Sequence, residues 1–169
     1  MEKMKEIYIS KVVINIGTSS DSNQHDNAVK ILQAITQAKP ADEISKKRNP
    51  AFKVSKGQKI GAFVTLRGDK AHAILKKLFD AVDSRVKESN ISTNSVNFGI
   101  KEYIDINGIK YDPKIGMLGM NVNVAFSRPG MRVMLRKAMR SKVPARHSII
   151  GKDEIKDYIK KAFNVEVVQ

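Results

Sequence analysis

The sequence predicts an α+β fold in two layers, a largely antiparallel sheet with helices packed on one face. Three observations predict it. Short runs rich in β-branched residues alternate apolar with polar positions near the start and again past the middle. Between and after them lie apolar stripes at helical spacing. No repeat and no flexible linker divides the chain, so residues 1–169 are expected to share one core as a single domain.

Each element follows in order. "EIYISKVVINIG" alternates and ends at Gly17, a strand. "SSDSNQHDN" gathers helix-starting residues, Ala28, Ile31, Leu32 and Ile35 follow at helical spacing, and Lys39-Pro40 closes that helix. "DEIS" and "KIGAFVTLRG" read as strands on either side of a basic segment. Asp69 is placed to cap a second helix, with Ile74, Leu75, Leu78, Phe79, Val82 and Val86 as its apolar stripe. "SVNFGI", "KEYIDINGIKY" and "MLGMNVNVAFS" return to strands, punctuated by Gly99, Gly108, Gly116 and Gly119. Lys152 to Phe163 form a last helix with Ile155, Ile159, Ala162 and Phe163 inward, Asn164 stops it, and "VEVV" is a short closing strand.

Charge bounds the function. The chain carries a net charge of +14 with a pI near 10.0, and self-repulsion on that scale points to a polyanionic partner, nucleic acid first and an anionic membrane second. There is no Cys, which removes disulfide scaffolds, thiolate zinc sites and Cys nucleophiles. The start "MEKMKEIYIS" has no apolar signal region, and no apolar run approaches the roughly 20 residues of a membrane helix. A soluble cytoplasmic protein is expected. His25, His72 and His147 are scattered without metal-ligand spacing, and Asp105 and Asp112 read as turn carboxylates. No catalytic residue, metal or cofactor is expected.

Two basic segments remain, 46–59 and 128–147. The first, "KKRNPAFKVSKGQK", holds Lys46, Lys47, Arg48, Lys53, Lys56 and Lys59, all able to approach phosphates. Phe52 among them has two readings. It stacks on an unpaired base, which favours structured RNA, or it turns inward with Val54 on one face of a strand. In the second segment, drawn as a helix, Arg132, Arg136 and Arg140 share a face opposite Met131, Met134, Leu135 and Ala138. Pro144 and the Arg-rich run after it also permit an extended arm.

"KVVINIG", "FKVSKGQKIGAFVTLRG" and "VNFGIKEYIDINGIKYD", in that order, resemble the universal ribosomal protein number five of the large subunit, which binds 5S ribosomal RNA. "SRPGMR" is similar to the archaeal and eukaryotic branch of that family, and the resemblance covers nearly the whole chain. It implies a two-layer α+β fold whose sheet and adjoining loop hold 5S ribosomal RNA in the central protuberance. RNA-binding positions carried over are Asn15, Phe52 and Thr65. Lys53, Lys56, Arg67, Arg128, Arg132, Arg136 and Arg140 complete the expected ribosomal-RNA set. The loop Lys46, Lys47, Arg48, Asn49, Pro50 and Ala51 is expected to reach P-site transfer RNA and to be mobile in the free protein. Two places depart from the family: Ala38 of "QAKP" stands where relatives have a Gln, with Gln37 the candidate substitute, and "RHSIIGKDE" puts Gly151 near the cap of the last helix, so no role is carried onto His147.

The function expected is therefore structural and non-enzymatic. Its partners would be 5S ribosomal RNA, large-subunit ribosomal RNA, P-site transfer RNA and neighbouring ribosomal proteins, with no membrane. A free RNA-binding regulator or RNA chaperone is the alternative, and an RNA-processing enzyme lacks any carboxylate or His cluster to support it.

Overall fold

Strand β1 (Tyr8–Gly17) alternates as its sequence does, with Val12, Ile14 and Ile16 fully buried and Val13 and Asn15 on the other side. Ile9 is buried too, although it is out of phase with these three. A β-bulge between Ile9 and Lys11 against β7 inserts the extra residue that returns Ile9 to the core side. The computed structural model describes residues 4–18, 22–109 and 111–168.

The sheet has six strands in the order β2-β3-β1-β7-β6-β5, and every neighbouring pair is antiparallel. These are β2 (Ala41–Ile44), β3 (Lys59–Leu66), β5 (Ile91–Ser92), β6 (Ser95–Ile100) and β7 (Met120–Ser127), with β1 near the centre. Ala62, Val64 and Leu66 of β3, Val96, Phe98 and Ile100 of β6, and Met120, Val122, Val124 and Phe126 of β7 bury one face. Helix α1 (Ser22–Thr36) packs on β3 through Ala28, Ile31 and Leu32, and α2 (Asp69–Asp80) packs on β1 through Leu75 and Leu78. Phe79 of α2 lies 5.1 Å from Phe98 of β6 and 5.3 Å from Phe163, joining three elements by ring contacts. The expected two-layer α+β arrangement is the one observed.

Several local expectations give way. Gly68, not Asp69, sits at the N-cap of α2, because its φ of +63° makes the turn out of β3 that a side chain would strain. Val82 and Val86 leave the helical stripe. Val86 belongs instead to β4 (Arg85–Lys87), which pairs in parallel with β8 (Glu166–Val168) in a separate ribbon. The described residues of "KEYIDINGIKY", 101–109 and 111, form no strand. They form a 3-10 turn at Tyr103–Asp105 and a loop anchored by the buried Tyr103 ring, whose hydroxyl accepts the Asp112 N–H at 3.2 Å. Ala162, expected inward, is exposed.

The last long helix, Lys152–Phe163, has the expected bounds and buries Ile155 and Ile159. It is labelled α5; the shorter α3 (Arg132–Leu135) and α4 (Ala145–Ser148) precede it. Asn164 ends it in the left-handed region at φ +54°, its N–H bonded to the Lys160 carbonyl. Asn164→Ala is expected to destabilise the domain by about 1 kcal/mol, because left-handed backbone costs alanine more than asparagine. Asn164→Gly, measured beside it by thermal denaturation, should be at least as stable as the parent.

Candidate nucleic-acid interface

The sheet residues that do not face the helices make up a second, polar surface. Asn15 of β1 lies opposite Phe63 of β3 and Asn121 of β7, and Asn97 of β6 lies opposite Asn123 of β7. Thr65 pairs with Val13, so it stands on the same face as Asn15, one pair further along β1 and β3. Asn15, Asn97, Asn121 and Asn123 line a shallow hollow of about 430 Å3 over Gly99. Asn15 is half-buried, and its Oδ1 is shielded from solvent with no hydrogen-bond partner among the described residues. Short amides donate and accept without long stems, which suits ribose hydroxyls and base edges in a wide, shallow groove.

The loop between β2 and β3 stands at the sheet's edge. Phe52 is 72% exposed, so the inward, strand-borne reading of this residue is corrected. The physical reason is Pro50, which starts a 3-10 turn over Pro50–Phe52 that Asn49 caps by accepting the Ala51 N–H at 3.2 Å. Lys53 follows in the left-handed region and turns the chain back. The loop is also more braced than its charge suggests. Asn49 and Val54 exchange backbone hydrogen bonds of 2.9 and 3.0 Å, and Ser45 pairs with Gln58 and Gly57 at 2.9 Å each. Lys46, Lys47, Arg48, Lys53 and Lys56 are exposed and make no ion pair among the described residues.

Lys59 differs from them. Its Nζ lies 2.8 Å from Asp42 of β2, and that hydrogen bond holds the Asp42 carboxyl below the usual carboxylate range. Lys59 is therefore committed to the sheet edge rather than free for a phosphate.

The second basic segment is not one helix. Helix α3 ends at Leu135, and Arg136 is extended at ψ 150°. Arg132, Arg136 and Arg140 therefore do not share a helical face. Arg136 Nε–H donates to the Met139 carbonyl at 2.8 Å, and Arg140 Nε–H donates to that of Met134, which folds the segment back on itself. All three arginines remain exposed, beside Leu135 at 72% and Met139 at 84% exposure. Arg128 lies elsewhere. It is only 9% exposed, donating to the Arg146 carbonyl at 3.2 Å and to the Glu154 carboxylate. It ties β7 to α5 and to the basic arm, and its guanidinium is engaged within the protein.

A family model of ribosomal protein L5 matches residues 2–54, and the model of that ribosomal family's C-terminus matches residues 59–158. The chain belongs to the ribosomal protein L5 family. It is similar to the large ribosomal subunit protein uL5 of Sulfurisphaera tokodaii, 39% identical over 98% of this chain and 94% of that protein. The corresponding proteins of Nanoarchaeum equitans and Pyrobaculum aerophilum are 40% and 41% identical, each over at least 97% of this chain and 92% of their own length. This L5-family member is a ribosomal protein of the archaeal type and has a structural rather than an enzymatic role.

Of the positions expected to bind RNA, the fold brings Asn15 and Thr65 onto one face. Phe52, Lys53 and Lys56 stand on the loop, Arg67 lies exposed just past β3, and Arg132, Arg136 and Arg140 lie on the distant arm. Gln37 is exposed in the left-handed region after α1, while Ala38 is half-buried. Sequence reasoning missed Asn97, Asn121 and Asn123. The signal was present, since "SVNFGI" and "MNVNVAFS" place asparagine where an alternating strand turns away from its core.

Proposed function

We propose that this protein is a structural constituent of the large ribosomal subunit that holds 5S ribosomal RNA in the central protuberance. In this reading residues 1–169 act as one RNA-binding unit. Phosphates meet the cations of both basic segments, Asn15 and Thr65 meet the RNA from the open sheet face, and Phe52 stacks on a base. The loop from Lys46 to Ala51 reaches P-site transfer RNA, while Arg132, Arg136 and Arg140 grip large-subunit ribosomal RNA. Arg128 contributes by positioning the arm. The observation that carries the reading is Phe52, an exposed aromatic held by a capped turn among cations that make no ion pair among the described residues. The relatives' identity as large-subunit proteins supports it.

Titration at several salt concentrations tests it. Affinity for 5S ribosomal RNA should fall as salt rises, because released counterions drive phosphate binding. A preference over unrelated duplex RNA should persist at moderate salt, because stacking and amide contacts are screened far less than charge pairs. Equal affinity for both RNAs at every salt concentration would exclude selective recognition.

A further inference from the structure

The basic arm after β7 presents apolar side chains to solvent. Leu135 and Met139 are exposed four residues apart, and Met139 is the most exposed of the large apolar side chains among the described residues. The segment is not slack. The Ser141 N–H donates to the Val133 carbonyl at 3.3 Å, and the Arg136 and Arg140 Nε–H bonds to backbone close the same stretch. Met139 is itself held at φ +52°, a left-handed conformation that is costly for a residue with a side chain, and its carbonyl is the acceptor for Arg136. A fold-back that needed only this turn would favour glycine there. The stretch also holds the exposed cations Arg132, Arg136, Lys137, Arg140 and Lys142, and no acidic residue occurs from Arg128 to Lys152.

We propose that this fold-back is a wedge for interrupted double-helical RNA. Leu135 and Met139 lie against a base face laid bare at a bulge, junction or helix end, and the cations of the arm hold the phosphates on either side. The inference rests on the RNA-binding reading above and adds the kind of RNA site that the arm takes. Leucine and methionine carry no hydrogen-bond donor and cannot read base edges, so they gain only against apolar surface. In an intact A-form helix the base faces are stacked away and the shallow groove displays 2′-hydroxyls. An unpaired nucleotide uncovers a face, and leucine and methionine are among the side chains that enter unstacked steps of nucleic acid. Arg136 and Arg140 suit the flanks. Each commits its Nε–H to a backbone carbonyl, which orients the guanidinium and leaves its Nη groups for phosphate oxygens. Charge chooses among occupants. A second copy of this chain would set like cations against each other, and a neutral apolar peptide would leave them unmatched. RNA is the polyanion that a ribosomal protein meets.

Two RNA hairpins of equal length, one fully paired and one with a single bulged nucleotide, test this by titration. The parent should bind the bulged hairpin about 5- to 30-fold more tightly. Leu135→Ser combined with Met139→Ser should lose that preference. It should keep the parent's melting temperature, because both side chains are exposed, and the parent's salt dependence, because no cation is removed. Met139→Gly alone should melt no lower than the parent, since glycine adopts φ +52° freely, and should still lose part of the preference. Arg136→Ala combined with Arg140→Ala should instead reduce the salt dependence for both hairpins. The preference should survive Phe52→Ala, which assigns it to the arm rather than to the β2–β3 loop. Equal affinity of the parent for the two hairpins, beside selective binding of 5S ribosomal RNA, overturns the wedge and leaves the RNA-binding function standing. A preference that the double Ser variant keeps and Phe52→Ala loses overturns it too. Vesicles of phosphatidylcholine with phosphatidylserine, and a polyglutamate peptide bearing leucines, are the competing ligands. If the double Ser variant loses either of these while its hairpin binding is unchanged, the face belongs to a membrane or an acidic protein and the wedge is wrong. If the parent binds neither 5S ribosomal RNA nor either hairpin, both readings fail together.

Discussion

Phe52→Ala is expected to bind 5S ribosomal RNA about 5- to 150-fold more weakly than the parent and to melt where the parent melts. One base stacked on an aromatic ring contributes about 1–3 kcal/mol by alanine substitution, and each 1.4 kcal/mol is about tenfold in affinity. The stability half of the expectation comes from the exposure of the ring. A buried Phe truncated to Ala costs roughly 3–5 kcal/mol of folding, which in a chain of this size would lower the melting temperature by many degrees. Phe52 is 72% exposed and its loop is held by backbone bonds, so nothing in the core collapses when the ring is removed. Calorimetry and RNA titration on the same preparation decide it. A fall of more than a few degrees in melting temperature would return Phe52 to a packing role.

The second large effect separates the two basic segments. Replacing Lys46, Lys47 and Arg48 together by Ala is expected to leave 5S RNA binding and subunit incorporation mostly intact and to weaken P-site transfer RNA retention. Replacing Arg132, Arg136 and Arg140 is expected to do the reverse. Each set removes three cations that make no ion pair among the described residues. With about 0.9 counterion released per phosphate contact on a duplex, the salt slope of the affected complex should drop by about 2–3. The structure sharpens the expectation for the arm. Its arginines present guanidinium groups from a segment already folded by Arg136 and Arg140 bonds to backbone carbonyls, so losing them also loosens that fold. A set of Arg→Lys replacements keeps the charge but not the Nε–H bonds and separates the two contributions. Subunit incorporation and transfer RNA binding to purified ribosomes are the readouts. Equal losses in both assays for both sets would show one undivided electrostatic patch.

Much of this architecture was legible in the residues themselves. Alternation in "KVVINIG", "SVNFGI" and "MNVNVAF" specified strands and their buried faces, because a period of two leaves only one way to hide the apolar set. Helical spacing and the Asn164 stop defined α5 to its observed ends. Net charge and the absence of cysteine pointed to a polyanionic partner and away from thiol chemistry without any structure.

Tertiary structure decided the rest, and each case has a contact that local sequence does not contain. "KEYIDINGIKY" alternates like a strand, yet burial of Tyr103 and its hydrogen bond to Asp112 bend it into a loop. Val86 keeps helical phase with α2 but pairs with Val167 of β8, a partner near the far end of the sequence. Phe52 could equally have turned inward or outward by pattern; the Asn49-capped turn across the β2–β3 loop turned it out. Arg128 reads as one more surface cation until β7, α5 and the basic arm converge on its guanidinium. Composition and periodicity determined an α+β fold and pointed to a polyanionic partner. Only long-range packing decided which cations are free to meet RNA, because a charge becomes available or engaged according to neighbours that the fold, not the adjacent sequence, supplies.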